Sequence, residues 1–183
     1  MKLNFVLPGL YTDKVVGGFR VHYEYANRLA LAGHEVVVSH MINADATDLN
    51  KNSHLRNIVN RGVRDYISWF NFNPKVFPTV VVNGRFLLPC DVLILTSWHT
   101  AEAFGKRHDA TWLTVQIAYD YEFWMTADES LKARMASAFR APDLMVSTSN
   151  SVQNMLSNCG RVADAKASRQ NKLTIFKKYV LVR

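Results

Sequence analysis

Two carboxylates spaced two residues apart, Asp120 and Glu122, form a candidate pair for acid–base chemistry. In an extended segment such residues point to the same side, so both carboxylates could face one substrate. A pair of this kind can accept sugar hydroxyl groups or a proton. The neighbouring rings of Tyr119, Tyr121 and Trp124 could pack against the apolar face of a pyranose. The alternative is that the aromatic rings anchor the loop to the core while the acids face water.

A glycine pair, Gly17-Gly18, ends the loop before the first predicted helix. Unpaired backbone N–H groups and the positive end of the dipole favour an anion at a helix start, and the missing side chains allow close approach. A phosphate or sugar phosphate suits such a position. The pair matches neither GxGxxG nor GxxxxGK[ST], which counts against a dinucleotide site and a P-loop. Alternatively, the glycines only permit a tight turn.

The segment Ser97-Trp98-His99-Thr100 follows a predicted buried strand and opens a short helix. His99 could donate to a substrate oxygen or act as a base, or it could cap the helix. The other five histidines show no metal-ligand spacing, so we predict no metal site. Cys90 and Cys159 are too few for a disulfide framework, and this scarcity is typical of a reducing compartment.

The hydrophobic pattern predicts an α/β fold. The first part of the chain indicates a strand over Leu3–Leu7, a helix from Phe19 to Ala32 that ends at Gly33, and a strand over His34–Ser39. This βαβ unit implies parallel strands with right-handed crossovers. Further predictions are a short helix around Ile58, strands over Phe77–Val82, Asp91–Thr96, Thr111–Ile117 and Pro142–Ser147, a turn at Asn83-Gly84, and helices ending at Phe104, Phe139 and Leu156. The candidate residues follow strands, where open α/β sheets bind ligands.

The net charge of +7 is concentrated at the end of the chain. Residues 1–159 contain 15 basic and 14 acidic residues, whereas residues 160–183 contain seven basic residues and one acidic residue. A nearly neutral body argues against a nucleic-acid partner. The 49% hydrophobic and 20% charged residues exclude wholesale disorder. No secretory leader and no run of about 18 apolar residues is evident, so we expect a cytoplasmic protein.

Six segments, in order, carry a resemblance to a known family. They are Leu3–Leu7, Gly17-Gly18, Leu29–Val36, Leu88–Ala101, Gln116–Glu122 and Pro142–Ser149. Over residues 1–160 the chain resembles the N-terminal half of a GT-B glycosyltransferase of family 4. The fourth and fifth segments are similar to the rhamnosyltransferase-like branch of bacterial surface-polysaccharide enzymes, in which Thr-x-Trp-x-Thr-Ala and Gln-Asp-Tyr-Glu stretches recur. Here Ile117-Ala118-Tyr119 separates Gln116 from Asp120.

The resemblance implies a Rossmann-like parallel sheet flanked by helices, the single N-terminal half of a GT-B architecture. It implies metal-independent transfer of a hexosyl or rhamnosyl group, with retention, from a nucleotide-sugar to a glycan or lipid-linked acceptor. The nucleotide-sugar is a substrate, and no cofactor is implied. Gly17 and Gly18 would approach the donor phosphates. The catalytic positions would be Asp120, Glu122 and His99, and the acceptor-binding positions Trp98, Thr100, Tyr119, Tyr121 and Trp124.

We predict one domain over residues 1–160, followed by a basic tail or the start of an interdomain linker over residues 161–183. Family members carry a second Rossmann-like domain with a Glu-x7-Glu motif for the donor. These 183 residues have no room for it, so we expect the chain alone to be inactive. The segment Lys166–Arg183 is a candidate for peripheral contact with the inner face of the membrane.

Two alternatives remain open. The chain could be a stand-alone module that binds a glycan, a membrane or a partner protein without catalysing a reaction. It could also be a nucleotide-dependent oxidoreductase on a Rossmann-like fold. The lack of GxGxxG counts against the oxidoreductase, as does Ser39-His40 at the end of the second strand, where dinucleotide-binding folds carry an acidic residue.

Overall fold

The computed structural model describes residues 1–11, 15–42, 58, 62–82, 87–105, 112–119 and 126–166. It confirms the predicted fold class, since parallel strands and flanking helices alternate along the chain in a Rossmann-like manner. The chain divides into two compact units, Met1–Asp91 and Val92–Arg183.

The described part of the first unit contains three parallel strands in the order β3-β2-β1. These strands are β1 (Lys2–Leu7), β2 (Glu35–Ile42) and β3 (Val76–Val82). Helix α1 (Gly17–Leu31) connects β1 to β2 and completes the predicted βαβ unit. Gly33 follows α1 with a φ of 92°, the left-handed conformation that commonly ends a helix.

Helix α1 buries one side because apolar residues recur at helical spacing. The buried residues are Phe19, His22, Tyr23, Ala26, Leu29 and Ala30. Tyr23 is the centre of an aromatic cluster, with the ring centroids of Trp69, Phe70 and Phe72 at 5.4, 5.0 and 4.7 Å. The cluster holds the segment before β3 against the helix.

The predicted start of α1 at Phe19 was wrong by two residues. The helix begins at Gly17, because the backbone N–H of Arg20 donates to the carbonyl of Val16 at 3.0 Å and closes a turn ahead of Phe19. Gly17 and Gly18 are therefore the first residues of the helix rather than the last residues of the preceding loop.

Among the residues described for the second unit, four parallel strands follow the order β4-β5-β6-β7. They are β4 (Val92–Leu95), β5 (Leu113–Ala118), β6 (Leu144–Ser147) and β7 (Ala165–Lys166). The helices are α2 (Trp98–Phe104), α3 (Glu129–Phe139) and α4 (Asn150–Asn158). Helix α2 packs on β4 and α3, and α4 packs on β6. The Asp143 carboxylate accepts the Thr114 N–H and hydroxyl at 2.8 and 2.7 Å, which fixes β5 beside the start of β6.

Strand β7 lies beyond Gly160 and was not predicted. It is anchored by Asp164, whose carboxylate accepts the Met145 N–H at 2.8 Å and a guanidinium N–H of Arg161 at 2.9 Å. Arg161 also donates to the carbonyl of Asp143 at 3.0 Å. The first part of the predicted tail thus joins the sheet of the second unit. The predicted turn at Asn83-Gly84 and residues 167–183 lie outside the described residues.

Candidate functional site

Helix α1 begins with two exposed glycines, Gly17 and Gly18. The N-cap residue is Val16, and no side chain of the described structure caps the helix. The first turn contains no acidic residue. The first N–H groups of a helix have no acceptor within it and carry the positive end of its dipole. An anion would therefore be stabilised at this position.

Neither glycine is required by the local backbone or by packing. The described glycines with positive φ are Gly33, Gly62 and Gly160. A Cβ placed on Gly17 or Gly18 would have no described atom within 4 Å. Inside a helix glycine is less favourable than alanine by about 1 kcal/mol. The described residues thus give no support to the tight-turn interpretation, and the approach of a phosphate to this pair stays a prediction.

Two side chains hold the beginning of the segment between β1 and α1. The Nδ1 atom of His40 lies 2.8 Å from the Gly9 carbonyl oxygen. The indole N–H of Trp69 donates to the Tyr11 carbonyl at 2.9 Å, and the Tyr11 ring packs edge-on against Phe19 at 5.2 Å. These contacts fix residues 9–11 beyond the carboxyl end of β1, where α/β folds bind ligands.

His40 is fully buried near the carboxyl end of β2. Because a carbonyl oxygen only accepts, Nδ1 must donate to Gly9, and Nε2 is left to accept from the Tyr23 hydroxyl at 3.4 Å. Burial lowers the pKa of His40 to about 4, against a smaller opposite effect of the Gly9 hydrogen bond. His40 is therefore neutral at pH 7 and positions the segment before α1.

Thr100 is fully buried, and its hydroxyl group is committed to the start of α2. Its Oγ1 accepts the backbone N–H groups of Thr96 and Ser97 at 3.1 Å and donates to the Ser97 carbonyl at 2.8 Å. The Thr100 N–H donates to Ser97 Oγ at 3.3 Å, which completes a capping box. The acceptor-binding role of Thr100 stays a prediction, whereas its role in starting the helix follows from these bonds.

Trp98 is 5% exposed and stacks on the exposed ring of His99, with centroids 3.8 Å apart. The Arg134 guanidinium lies 5.7 Å from the Trp98 ring centroid and makes two hydrogen bonds to the Glu102 carboxylate, at 2.9 and 3.0 Å. Trp98 therefore supports the imidazole of His99 just beyond the carboxyl end of β4. Of the three residues predicted in this segment, His99 is the exposed one.

The carboxyl end of β5 carries a buried amide. Gln116 is 0% exposed, and neither its Nε2 nor its Oε1 has a hydrogen-bond partner among the described residues. Tyr119 follows the strand and is half-buried. The Thr148 hydroxyl donates to the Ala118 carbonyl at 2.9 Å, which ties the segment after β6 to the end of β5. This bond joins the ends of β5 and β6.

The remaining predicted residues, Asp120, Tyr121, Glu122 and Trp124, lie outside the described part of the chain. The proposed contacts of the two carboxylates and the aromatic rings with a sugar stay a prediction. Gly17 and Gly18 belong to the first unit, and the residues at positions 98, 99, 100 and 119 belong to the second.

No protein-family model, curated protein or solved structure matches the chain. Function must therefore be inferred from the chemistry of the residues. Among the described residues, no group of three His, Cys, Asp or Glu side chains could hold a metal ion. The described part of the chain also contains no helix with the length and apolar character needed to cross a membrane. Burial, and secondarily Asp91, raises the pKa of the Cys90 thiol to about 12, so it is not an activated nucleophile.

Sequence reasoning missed the importance of His40 and Gln116. Both are polar residues inside otherwise apolar strands, within Val-Val-Val-Ser-His and Thr-Val-Gln-Ile-Ala. A polar side chain at such a position must find a partner on burial or have a functional reason to lack one. The polar residue inside an apolar strand was the available signal, and only the structure shows that His40 is paired, whereas Gln116 has no partner among the described residues.

Proposed function

We propose that this chain is the acceptor-side domain of a metal-independent, retaining glycosyltransferase. The enzyme would transfer a hexosyl or rhamnosyl group from a nucleotide-sugar to a glycan or lipid-linked acceptor. A second domain would hold most of the donor. The observation that best supports the proposal is the start of α1, where Gly17 and Gly18 are exposed, no described side chain caps the helix and an added Cβ would meet no described atom.

The diphosphate of a nucleotide-sugar suits the start of α1 on electrostatic grounds. Its oxygens could approach the N–H groups of Gly17 and Gly18 without meeting a side chain. The favourable effect of a helix start on an anion is about 0.3–2 kcal/mol. That is too little for tight binding, because a dissociation constant of 1 mM already requires about 4 kcal/mol. The proposal therefore assigns most of the donor affinity to the second domain.

The acceptor side of the proposal centres on His99. Its imidazole is exposed at the start of α2 and is held in place by stacking on Trp98. A histidine can take or give a proton near neutral pH, which suits a group that orients the acceptor hydroxyl. Asp120 and Glu122 are proposed to contact hydroxyl groups of the acceptor or the transferred sugar.

An NMR titration with uridine diphosphate and thymidine diphosphate tests the donor side. The amide signals of Gly17, Gly18 and Phe19 should shift, with weak affinity. Gly18→Ala should reduce the affinity several-fold, because its methyl group occupies the approach to the helix start. The matched control Glu24→Ala lies at an exposed position later in α1 and should bind like the wild type.

Two outcomes would count against the proposal. One is an absence of shifts at residues 17–19 with both nucleotides. The other is equal affinity of Gly18→Ala and the wild type. Binding of a glycan together with no response to either nucleotide would favour the stand-alone binding module instead.

A further inference from the structure

Arg134 of α3 contacts two residues that lie one turn apart on α2. Trp98 and Glu102 are four positions apart in the sequence, so they share one face of that helix. The Arg134 guanidinium lies 5.7 Å from the centroid of the Trp98 ring. Its Nε and Nη2 atoms donate to the two oxygens of the Glu102 carboxylate at 3.0 and 2.9 Å. One side chain of α3 therefore connects the indole and the carboxylate of α2.

The two hydrogen bonds to Glu102 determine where the Arg134 side chain lies. Packing alone does not hold it, because the side chain is 60% exposed and a cleft of about 140 Å³ lies beside it between α2 and α3. Apart from the ion pair, small side chains line this cleft, namely Ala101, Ser137, Ala138 and Ala141. An arginine has many rotamers, and its planar guanidinium is fixed when a carboxylate accepts from two of its N–H groups. Without Glu102, the guanidinium could leave the Trp98 ring.

The orientation of the Trp98 ring bears directly on His99. The two rings are stacked, with centroids 3.8 Å apart and an angle of 29° between their planes. Trp98 is buried whereas His99 is exposed, so the indole supports the more accessible of the two rings. A guanidinium near an aromatic ring is attracted to it, and Arg134 therefore stabilises the observed orientation of the indole. A change in that orientation would move the imidazole as well.

We infer that Arg134, held by Glu102, is a positioning residue that orients the imidazole of His99 through the Trp98 ring. The contact of His99 with an acceptor rests on the proposed function. The orientation of the imidazole does not, because all four side chains belong to the second unit and make these contacts without a ligand. Exposed ion pairs contribute little to the stability of a fold, so the role of this pair is the orientation of the rings.

NMR spectroscopy of the His99 imidazole protons tests the inference without a ligand. The ring current of the stacked indole displaces these protons from the chemical shifts of an unstructured histidine, and a pH series separates this displacement from the effect of protonation. Arg134→Met keeps an apolar stem and removes the guanidinium, whereas Glu102→Gln removes the carboxylate charge. We expect each substitution to reduce the displacement by about twofold, because a cation–π contact at an exposed site changes a population by a small factor.

Lys132→Met is the matched control. Lys132 also lies on α3 and makes an ion pair, at 2.8 Å from Glu129, but no contact with Trp98 or His99 is part of that pair. This variant should leave the His99 signals unchanged. Arg134→Lys keeps the charge without the paired hydrogen bonds, so its displacement should lie between those of the wild type and Arg134→Met. The backbone amide signals of α2 verify that each variant keeps the helix.

Unchanged His99 signals in Arg134→Met would overturn the inference, as would an equal change in Lys132→Met. Unchanged signals in Glu102→Gln would also overturn it, because the carboxylate would then not be what holds the guanidinium. Loss of the α2 amide signals would show that the ion pair supports the helix itself, which contradicts a role in orientation. These outcomes are separable from those of the proposed function. A His99 signal that depends on Arg134 supports the inference even if Gly17 and Gly18 do not respond to either nucleotide.

Discussion

The imidazole Nδ1 of His40 lies 2.8 Å from the carbonyl oxygen of Gly9, and this contact joins the end of β2 to the segment that leads into α1. In the neutral imidazole Nδ1 donates to Gly9 and Nε2 accepts from Tyr23, whereas protonation would add an N–H at Nε2 and remove that acceptor. The segment that precedes the glycine pair is thus held by one buried, titratable side chain.

Lowering the pH below about 6.5 should reduce the free energy of unfolding. The pKa of His40 falls from 6.5 to about 4 in the folded protein, because burial disfavours its charged form. As the pH decreases, the unfolded chain therefore binds this proton first. The contribution of His40 is complete above pH 6.5 and is lost between pH 6.5 and pH 4, with a slope of up to about 1.4 kcal/mol per pH unit. Urea unfolding at several pH values measures this slope.

The matched variant for this prediction is His40→Asn, whose amide can still donate to Gly9 but does not titrate. It should be less stable than the wild type at pH 7 and should lose less stability down to pH 4. An equal slope in both proteins would exclude His40 as the cause. The next candidate would be His34, whose pKa is lowered by burial and by the N-terminal ammonium group.

Replacing Gly17 or Gly18 by alanine should stabilise the protein by about 0.5–1 kcal/mol each. Each added methyl group meets no described atom, and alanine loses less conformational entropy in a helix. Urea unfolding measures the gain, and Glu24→Ala on the same helix should change stability by no more than about 0.5 kcal/mol. A loss of stability in the glycine variants would mean that the fold requires these glycines and would restore the tight-turn interpretation.

Gly105→Ala, in contrast, should destabilise the protein by about 1–3 kcal/mol. Its backbone φ of −69° is ordinary, but a Cβ would lie 2.6 Å from the Ala101 carbonyl oxygen and 2.8 Å from the Ala141 Cβ. The double variant Gly105→Ala with Ala141→Gly removes the second of these contacts and should recover part of the loss. No recovery would indicate that the contact with Ala141 is not what makes the substitution costly.

Thr100→Val should destabilise the protein by about 1–3 kcal/mol, because it removes the hydroxyl that completes the capping box and accepts two buried N–H groups. Thr100→Ser keeps the hydroxyl and should stay closer to the wild type. Urea midpoints of the two variants provide the comparison. If the valine variant were as stable as the serine variant, the hydroxyl would be free for a ligand, as the acceptor-binding prediction requires.

The helices and strands that could be predicted from the sequence are those whose own residues, through apolar spacing and helix caps, favour the observed structure. Helix α3 (Glu129–Phe139) ends at Phe139 as predicted, and its start is fixed locally by the Asp128 N-cap, which accepts two backbone N–H groups. The start of α1 was misplaced because glycines have a low helix propensity, and the backbone bond that closes the first turn leaves no trace in the sequence.

Features that depend on contacts between distant residues could not be predicted. Strand β7 has only two residues, which is too short for a hydrophobic repeat to show in the sequence. Its position depends on the hydrogen bond between Asp164 and the Met145 N–H. The apolar residues beside Gln116, Leu95 and Met145, are set by register with the neighbouring strands. The exposure of His99 beside buried Trp98 likewise follows from packing on α3 rather than from their order in the chain.

The hydrogen bond from Trp69 to the Tyr11 carbonyl gives the segment before α1 a built-in reporter. Any rearrangement of residues 9–11 must lengthen or break this bond, because Trp69 is also held by its ring contact with Tyr23. The indole proton of Trp69 would then change its magnetic environment and its rate of exchange with solvent. Since the chain has four tryptophans, each can be assigned by a single substitution. Ligand-induced motion of this segment can thus be followed without an attached dye.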